Sequence, residues 1–286
     1  MGQQIEPPAQ RSAHPKNPNP PVPTSLDPTS GGYAERVAAR FWSHRPSVAG
    51  AAVGVIGYLV MAAILLTAAY VVIHLLVSGS VGAWDNSVNR WFVTVRTSSL
   101  DSATAFGSAL GGAPVIVGLG LAAAIGLAAA HRWRAVGFLV TGLLIETTVF
   151  LTTATVLYRP RPLVPKLEAS PPTSSFPSGH TAAAIVLYLG LAIILGTLTR
   201  SSLLRALAWI LAIVIPTFVG VSRMYLGMHH PTDVLGACVL GVGALLFAML
   251  AARTAGAVGK RRTEERARAT DHPRSEAPVR AEVEAG

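Results

Sequence analysis

The chain has one cysteine in 286 residues, and that residue, Cys238, stands inside an apolar run. A single thiol excludes an internal disulfide framework and any zinc site built on cysteines. Charge is scarce as well: Asp, Glu, Lys and Arg together make up 13% of the residues, about half of the ~25% usual in soluble domains. Acidic residues are the rarer sign, 14 against 23 basic, and lysine is rarer still, three against 20 arginines. The resulting net charge of +9 would suit a nucleic-acid binder only if the basic residues gathered on a folded face. What the chain has in excess is apolar: 51% hydrophobic residues and a mean hydropathy of +0.48. That balance excludes an ordinary soluble domain and implies an integral membrane protein.

Residues 1–47 hold nine of the 20 prolines and no long apolar run, so they are expected to form a disordered, Pro-rich tail. No short apolar stretch follows a basic start, which argues against a secretory signal. Residues 254–286 read as a charged, Ala-rich tail able to form a transient helix without an apolar stripe. Between the tails, residues 48–253 read as one membrane domain. No Asp, Glu, Lys or Arg occurs in 46–84, 102–131, 181–199, 206–222 or 234–252, and 135–158 contains only Glu146. A bilayer core takes ~20 apolar residues of helix, so these windows predict an all-α bundle of six transmembrane helices. The fifth carries Pro216 and is expected to kink.

The basic residues then orient the bundle. With both termini inside, 17 of the 23 fall on the cytoplasmic side, and only Arg90, Arg96, Arg159, Arg161, Lys166 and Arg223 fall outside. That bias predicts cytoplasmic termini. It also accounts for most of the positive charge through the lipid bilayer, with no nucleic acid as partner. Trp42 and Trp133 then lie at the inner interface, and Trp84 and Trp91 at the outer one. After the first span, Trp84, Val88, Trp91, Phe92 and Val95 recur at helical spacing, with Asp85, Asn89, Arg90 and Arg96 between them. Two readings stay open there: a helix lying in the outer interface, or a connector whose aromatics are buried against the bundle.

Reactive side chains concentrate in two loops separated by two spans, which must therefore emerge on one membrane face. The first runs from Arg159-Pro160-Arg161-Pro162 to Pro177-Ser178-Gly179-His180, and the second from Ser222-Arg223 to His229-His230-Pro231-Thr232-Asp233. The inventory suits a phosphate. Arg161 and Arg223 offer guanidinium forks that can bind a phosphoryl group bidentately. Ser178 and Gly179 precede a span whose N-terminus presents free N–H groups to an anion. Of His180 and His229, one can act as nucleophile and the other as general acid. Asp233 can accept the Nδ1–H of His229 and leave Nε2 free. A divalent-cation site at His229, His230 and Asp233 is the alternative, opposed by the divergence of adjacent side chains and the lack of a carboxylate cluster. Glu146 lies 15 residues before Arg161, about 22 Å along a helix, too far for direct catalysis. A hydrogen bond to neighbouring threonines is expected for it.

In order and spacing these blocks resemble the type 2 phosphatidic acid phosphatase superfamily, which includes lipid phosphate phosphatases and bacterial undecaprenyl-diphosphatases. The Pro-Ser-Gly-His block stands at 177–180, and Ser-Arg, five residues, His, three residues, Asp is complete at Ser222, Arg223, His229 and Asp233. Of the block Lys, six residues, Arg-Pro, the Arg161-Pro162 pair is present, but Ala154 holds the lysine position. The resemblance implies a cofactor-free, metal-independent hydrolysis of a lipid phosphate or diphosphate, with a polyprenyl diphosphate favoured. It implies that His229 attacks phosphorus with Asp233 orienting it, and that His180 protonates the leaving oxygen and then activates water. Arg161, Ser178, Gly179 and Arg223 would hold the phosphoryl oxygens, and Arg159 or Lys166 would replace the missing lysine. On this reading the site faces outward from the cytoplasmic membrane. A non-catalytic lipid-phosphate binder and a lipid phosphotransferase are the competing classes.

Overall fold

The computed structural model describes residues 25–170 and 172–271. They are helical throughout, with no strand among the described residues. The helices are α1 (Tyr33–Ala38), α2 (Pro46–Tyr70), α3 (Ser80–Thr94), α4 (Ser98–Leu110), α5 (Ala113–Ala129), α6 (Trp133–Val156), α7 (Gly179–Leu198), α8 (Ser202–Tyr225) and α9 (Pro231–Asp271). A π-helical turn extends α2 to Leu76.

Five of these helices, counting α2 with its extension, are long and apolar enough to cross a membrane. The bent pair α4–α5 passes the same test when the two helices are counted as one span, which would make six. The second expected span is thus not one straight helix. It breaks at Gly111-Gly112, where the axis turns by 43° and Pro114 opens the next segment. Gly111 also lets two backbones meet, because a Cβ there would stand 2.7 Å from the carbonyl oxygen of His180. α8 continues through Pro216 to Tyr225.

The helices pack as a bilayer requires. In lipid the hydrophobic effect does not draw helices together, so close packing of small residues must. α9 runs through the middle against α2, α6 and α7 and buries Ala237, Ala244, Ala248, Ala251 and Ala252. Phe138, Leu139, Val149, Val186, Leu187 and Leu240 fill the centre. The opposite stripe of α9, Leu235, Val239, Val242 and Leu246, is exposed at helical spacing. An exposed aliphatic stripe on a buried-core helix is the pattern expected of a surface that faces lipid.

Two tail expectations are corrected. Residues 25–47 do not stay unstructured. α1 docks on α9 with Ala34 and Ala38 buried, and Arg261 lies 3.4 Å over the ring of Trp42. Small alanines suffice for that contact, so no bulky apolar signal marks it in the sequence. Nor does the last helix stop near residue 253: α9 runs 41 residues to Asp271, about 60 Å, twice the ~30 Å of a bilayer core. Its far end gains from pairs at helical spacing, such as Arg261 with Glu265 at 2.6 Å. Residues 1–24 and 272–286, also expected to be tail, lie outside the described residues.

The connectivity separates two polar ends. Arg132, Arg134, Arg200 and Arg205 surround a cavity of about 1110 Å³ with Ser25, Leu26 and Asp27. The two reactive loops lie at the other ends of the same helices.

Candidate active site

The site is built on the first turn of α9. Pro231 is its first residue, where a missing N–H costs nothing. His230 is then the cap, and Asp233, the third helical residue, reaches back to accept the His230 backbone N–H at 2.7 Å. This is one half of a capping box. Before it, Gly227 adopts a positive φ of 75°, closing the turn from α8 and delivering His229.

Asp233 is fully buried and its two oxygens are saturated. Oδ1 takes Arg159, and Oδ2 takes the Ser175 hydroxyl at 2.5 Å together with the His230 N–H. His229 stands beside this carboxylate but is held differently from the expected dyad. Its Nδ1 lies 2.8 Å from the Ser175 carbonyl oxygen and 3.6 Å from Asp233 Oδ2. A carbonyl only accepts, so Nδ1 carries the proton and Nε2 keeps its lone pair. Asp233 thus stands beside the ring as a charge and accepts the Ser175 hydroxyl.

His229 Nε2 faces the cations. Arg161 Nη1 lies 3.4 Å from it and donates to the Met228 carbonyl at 2.8 Å, while Nη2 reaches Thr173. Arg223 Nη1 bonds Ser108 at 2.8 Å and Glu168 at 2.5 Å. The Nε–H groups of Arg161 and Arg223 are buried with no acceptor among the described residues, which leaves two donors for a ligand anion. His180, half-buried at the start of α7, lies in the field of Arg223, His229 and Arg161. The structure thus brings together Arg161, His180, Arg223, His229 and Asp233.

Four other residues expected at the phosphate, Ser178, Gly179, Arg159 and Lys166, each have surroundings of their own. The Ser178 N–H donates to the Asp233 carbonyl at 3.1 Å, and its hydroxyl pairs with Thr181 at 3.0 Å. Ser178 therefore fastens α7 to α9, and the first-turn N–H groups after it are the ones left for an anion. A side chain at Gly179 would strike the Phe150 ring at 3.0 Å, so this glycine also lets α7 pack closely on α6. Arg159 is no free cation: 3% exposed, it is ion-paired to Asp233 and, at 2.7 Å, to Asp85. Lys166 is exposed on its loop. Arg159 is therefore tied up away from the position a cradle lysine would take. The metal alternative fares no better, since an arginine already supplies the positive charge at Asp233. Among the described residues no three His, Cys, Asp or Glu are grouped to hold an ion.

Sequence reasoning missed Asp85, Asn89, Ser175, Ser108 and Glu168. Asp85 and Asn89 are four residues apart on α3 and nearly inaccessible, whereas Trp84 and Trp91 point outward. α3 therefore turns its polar side inward and its tryptophans out.

The order and spacing of these groups now sit on a defined geometry. Residues 133–257 match the PAP2 superfamily. The PAP2 match covers α6 to α9 and so contains every cation and histidine that faces His229. The chain is 46% identical over 74 residues to phosphatidylglycerophosphatase B of Bacillus subtilis, covering 26% of this chain and 36% of that protein. It is 34% identical over 114 residues to the undecaprenyl-diphosphatase BcrC of the same organism, covering 38% and 52%. The chain thus spans about a third and about half of the length of these two relatives. The crystal structure of a PAP2-type phosphatidylglycerolphosphate phosphatase from Bacillus subtilis shares the fold, with a TM-score of 0.57 and 24% identity over 68% of this chain and 93% of that one.

A Glu168 carboxylate oxygen lies 2.5 Å from Arg223 Nη1, so an anion bound at that nitrogen would compete with it. Glu168→Gln is expected to tighten inhibition by inorganic phosphate about fivefold, the worth of a partly exposed ion pair. Unchanged inhibition constants across the phosphate titration would show that Glu168 stands clear of the ligand.

Proposed function

We propose that this chain is a membrane lipid phosphate phosphatase working through a phosphohistidine on His229, without a metal. The observation that carries the proposal is the setting of the His229 ring, with Nδ1 at 2.8 Å from the Ser175 carbonyl oxygen. The Ser175 carbonyl holds Nδ1–H, and the free Nε2 points at Arg161. Nε2 attacks phosphorus, the P–O bond to the lipid breaks, and His180 gives its proton to the leaving oxygen. Neutral His180 then takes a proton from water, whose oxygen attacks phosphorus. The P–N bond breaks and phosphate leaves. Arg161 and Arg223 hold the equatorial oxygens, and positioning with charge stabilisation does most of the work in such a transfer.

The substrate is a lipid whose tail stays in the bilayer while its head enters between α6, α7, α8 and α9. We rank a polyprenyl diphosphate first, which the longer of the two matches, to an undecaprenyl-diphosphatase, supports, with phosphatidate or phosphatidylglycerophosphate next. The excess of basic residues at the end remote from the site supports an outward-facing site in the cytoplasmic membrane.

The test is phosphate release by the purified protein from polyprenyl diphosphate, phosphatidate and phosphatidylglycerophosphate, with EDTA present. Release from at least one lipid is expected; binding without release would make the chain a lipid-phosphate binder.

The pH profile follows from burial. Burial, first, pushes the His229 imidazole below its ordinary value of 6.5; Asp233 opposes this, and Arg223 and Arg161 add to it. The ring must be neutral to attack, so the acid limb of kcat/KM should fall at a pH below 6.5. Stability has the same sign. The contribution from His229 is complete above the unfolded-state pKa of about 6.5 and is lost as pH falls through the lower folded value. An acid limb centred above 6.5 would contradict the assignment.

A further inference from the structure

We propose that Asp85, which lies on α3 outside the matched region 133–257, is a positioning residue for His229. It acts through Arg159 on Asp233, and the proposal rests on the phosphohistidine reading above. Arg159 forms a fork between two carboxylates: Nη1 on Asp233 and Thr232, Nη2 on Asp85 at 2.7 Å. All three charged side chains are at most 3% exposed. Two carboxylates and one guanidinium leave a single net negative charge beneath His229.

Asp85 makes further bonds to the same turn. It accepts the Thr232 N–H at 3.1 Å and the Thr232 hydroxyl at 2.6 Å, so it caps the N-terminus of α9 from another helix. One turn on, Asn89 donates to the His229 carbonyl at 3.0 Å. α3 thereby grips the 229–233 segment at both ends, and only Asp85 also sets its charge.

The charge is what a test can separate from mere support. In Asp85→Asn the shape stays and the net charge beneath His229 becomes zero. The imidazolium and the phosphohistidine lose stabilisation. Asp85→Asn is expected to lower kcat on polyprenyl diphosphate about tenfold to a hundredfold, as for other outer partners of reactive groups, with KM little changed. The acid limb should move to lower pH, because protonating His229 becomes harder. In the double variant Asp85→Asn with Arg159→Gln, Asp233 again supplies one net negative charge. The acid limb should return towards the wild-type position and kcat should partly recover. Wild-type kcat and acid limb in Asp85→Asn, or a double variant no better than the product of the singles, would overturn the proposal.

A wild-type protein with no turnover on any lipid would sink the phosphatase reading instead. Thermal unfolding of the same variants would then decide on Asp85. Shifts smaller in the double variant than the sum of the singles support the coupling, and additive shifts overturn it.

Discussion

Arg159→Ala is expected to be the most destabilising single substitution in the site, at about 3–5 kcal/mol, the usual result of removing one partner of a buried ion pair. Arg159 is 3% exposed, and the carboxylates it joins, Asp85 and Asp233, are 1% and 0% exposed. Without the guanidinium, two buried carboxylates face each other across an empty space, and at least one must take up a proton or water must enter. Either change removes the fork that holds Asp233 and Thr232 in place beside His229, so turnover should fall with stability. Arg159→Lys keeps the charge, but a single ammonium cannot reach Asp233, Thr232 and Asp85 at once as the planar fork does. It should recover only part of the loss. The measurement is the thermal midpoint of the detergent-purified variants beside the wild type. An unchanged midpoint in Arg159→Ala would mean that the pair contributes nothing to the fold.

The second large effect belongs to His229→Ala, which should cut phosphate release by on the order of a thousandfold or more, as removal of a nucleophile does in other covalent mechanisms. The nitrogen that attacks cannot be supplied by a neighbour. The adjacent His230 turns its Nδ1 to Asp233 Oδ2 at 3.2 Å, and His180 belongs to another helix, α7. Because loss of rate alone does not identify the nucleophile, the protein should also be labelled. Substrate carrying radioactive phosphorus, quenched in alkali, should leave an acid-labile phosphoryl group on the wild type and on His180→Ala, but none on His229→Ala. Label retained in His229→Ala would move the nucleophile elsewhere.

Much of the architecture was legible because a bilayer imposes a simple rule on composition. Windows of about twenty residues with no charge, or in α6 only Glu146, located α2 and α6 to α9, and the interrupted α4–α5 window failed only in being drawn straight. The break needed Gly111 to be seen against His180, a contact between residues far apart in the chain. The two loops were legible for the same reason, since Arg161, His180, Arg223, His229 and Asp233 are polar groups with no place in lipid. Hidden from the sequence were the partners. Asp85 looked like the water-facing side of an amphipathic helix, because an acidic residue between tryptophans reads as solvated until the helix is placed. Arg159 looked like a spare cation two residues before Arg161. Its burial between carboxylates 74 residues away on either side, at positions 85 and 233, has no local signature. Ser175 contributes a carbonyl as well as its hydroxyl to the site, and a carbonyl carries no side-chain information.

The fork of Arg159 also carries a historical implication. Asp85 can be tolerated only when Arg159 is present, since alone it adds a second uncompensated charge in a dry place, whereas Arg159 without Asp85 keeps Asp233 as its partner. Asp85 should therefore have been acquired only after, or together with, Arg159. Ala154, the position where the related block carries lysine, is five residues from Arg159 on the same strand of chain. A lineage that gave up the lysine while gaining the buried pair would have moved a cation from the ligand's side of the catalytic histidine to the far side of its carboxylate. In relatives aligned over both α3 and α6, aspartate at 85 with arginine at 159 should then track the absence of lysine at 154, and chains that keep the lysine should be free to vary at both.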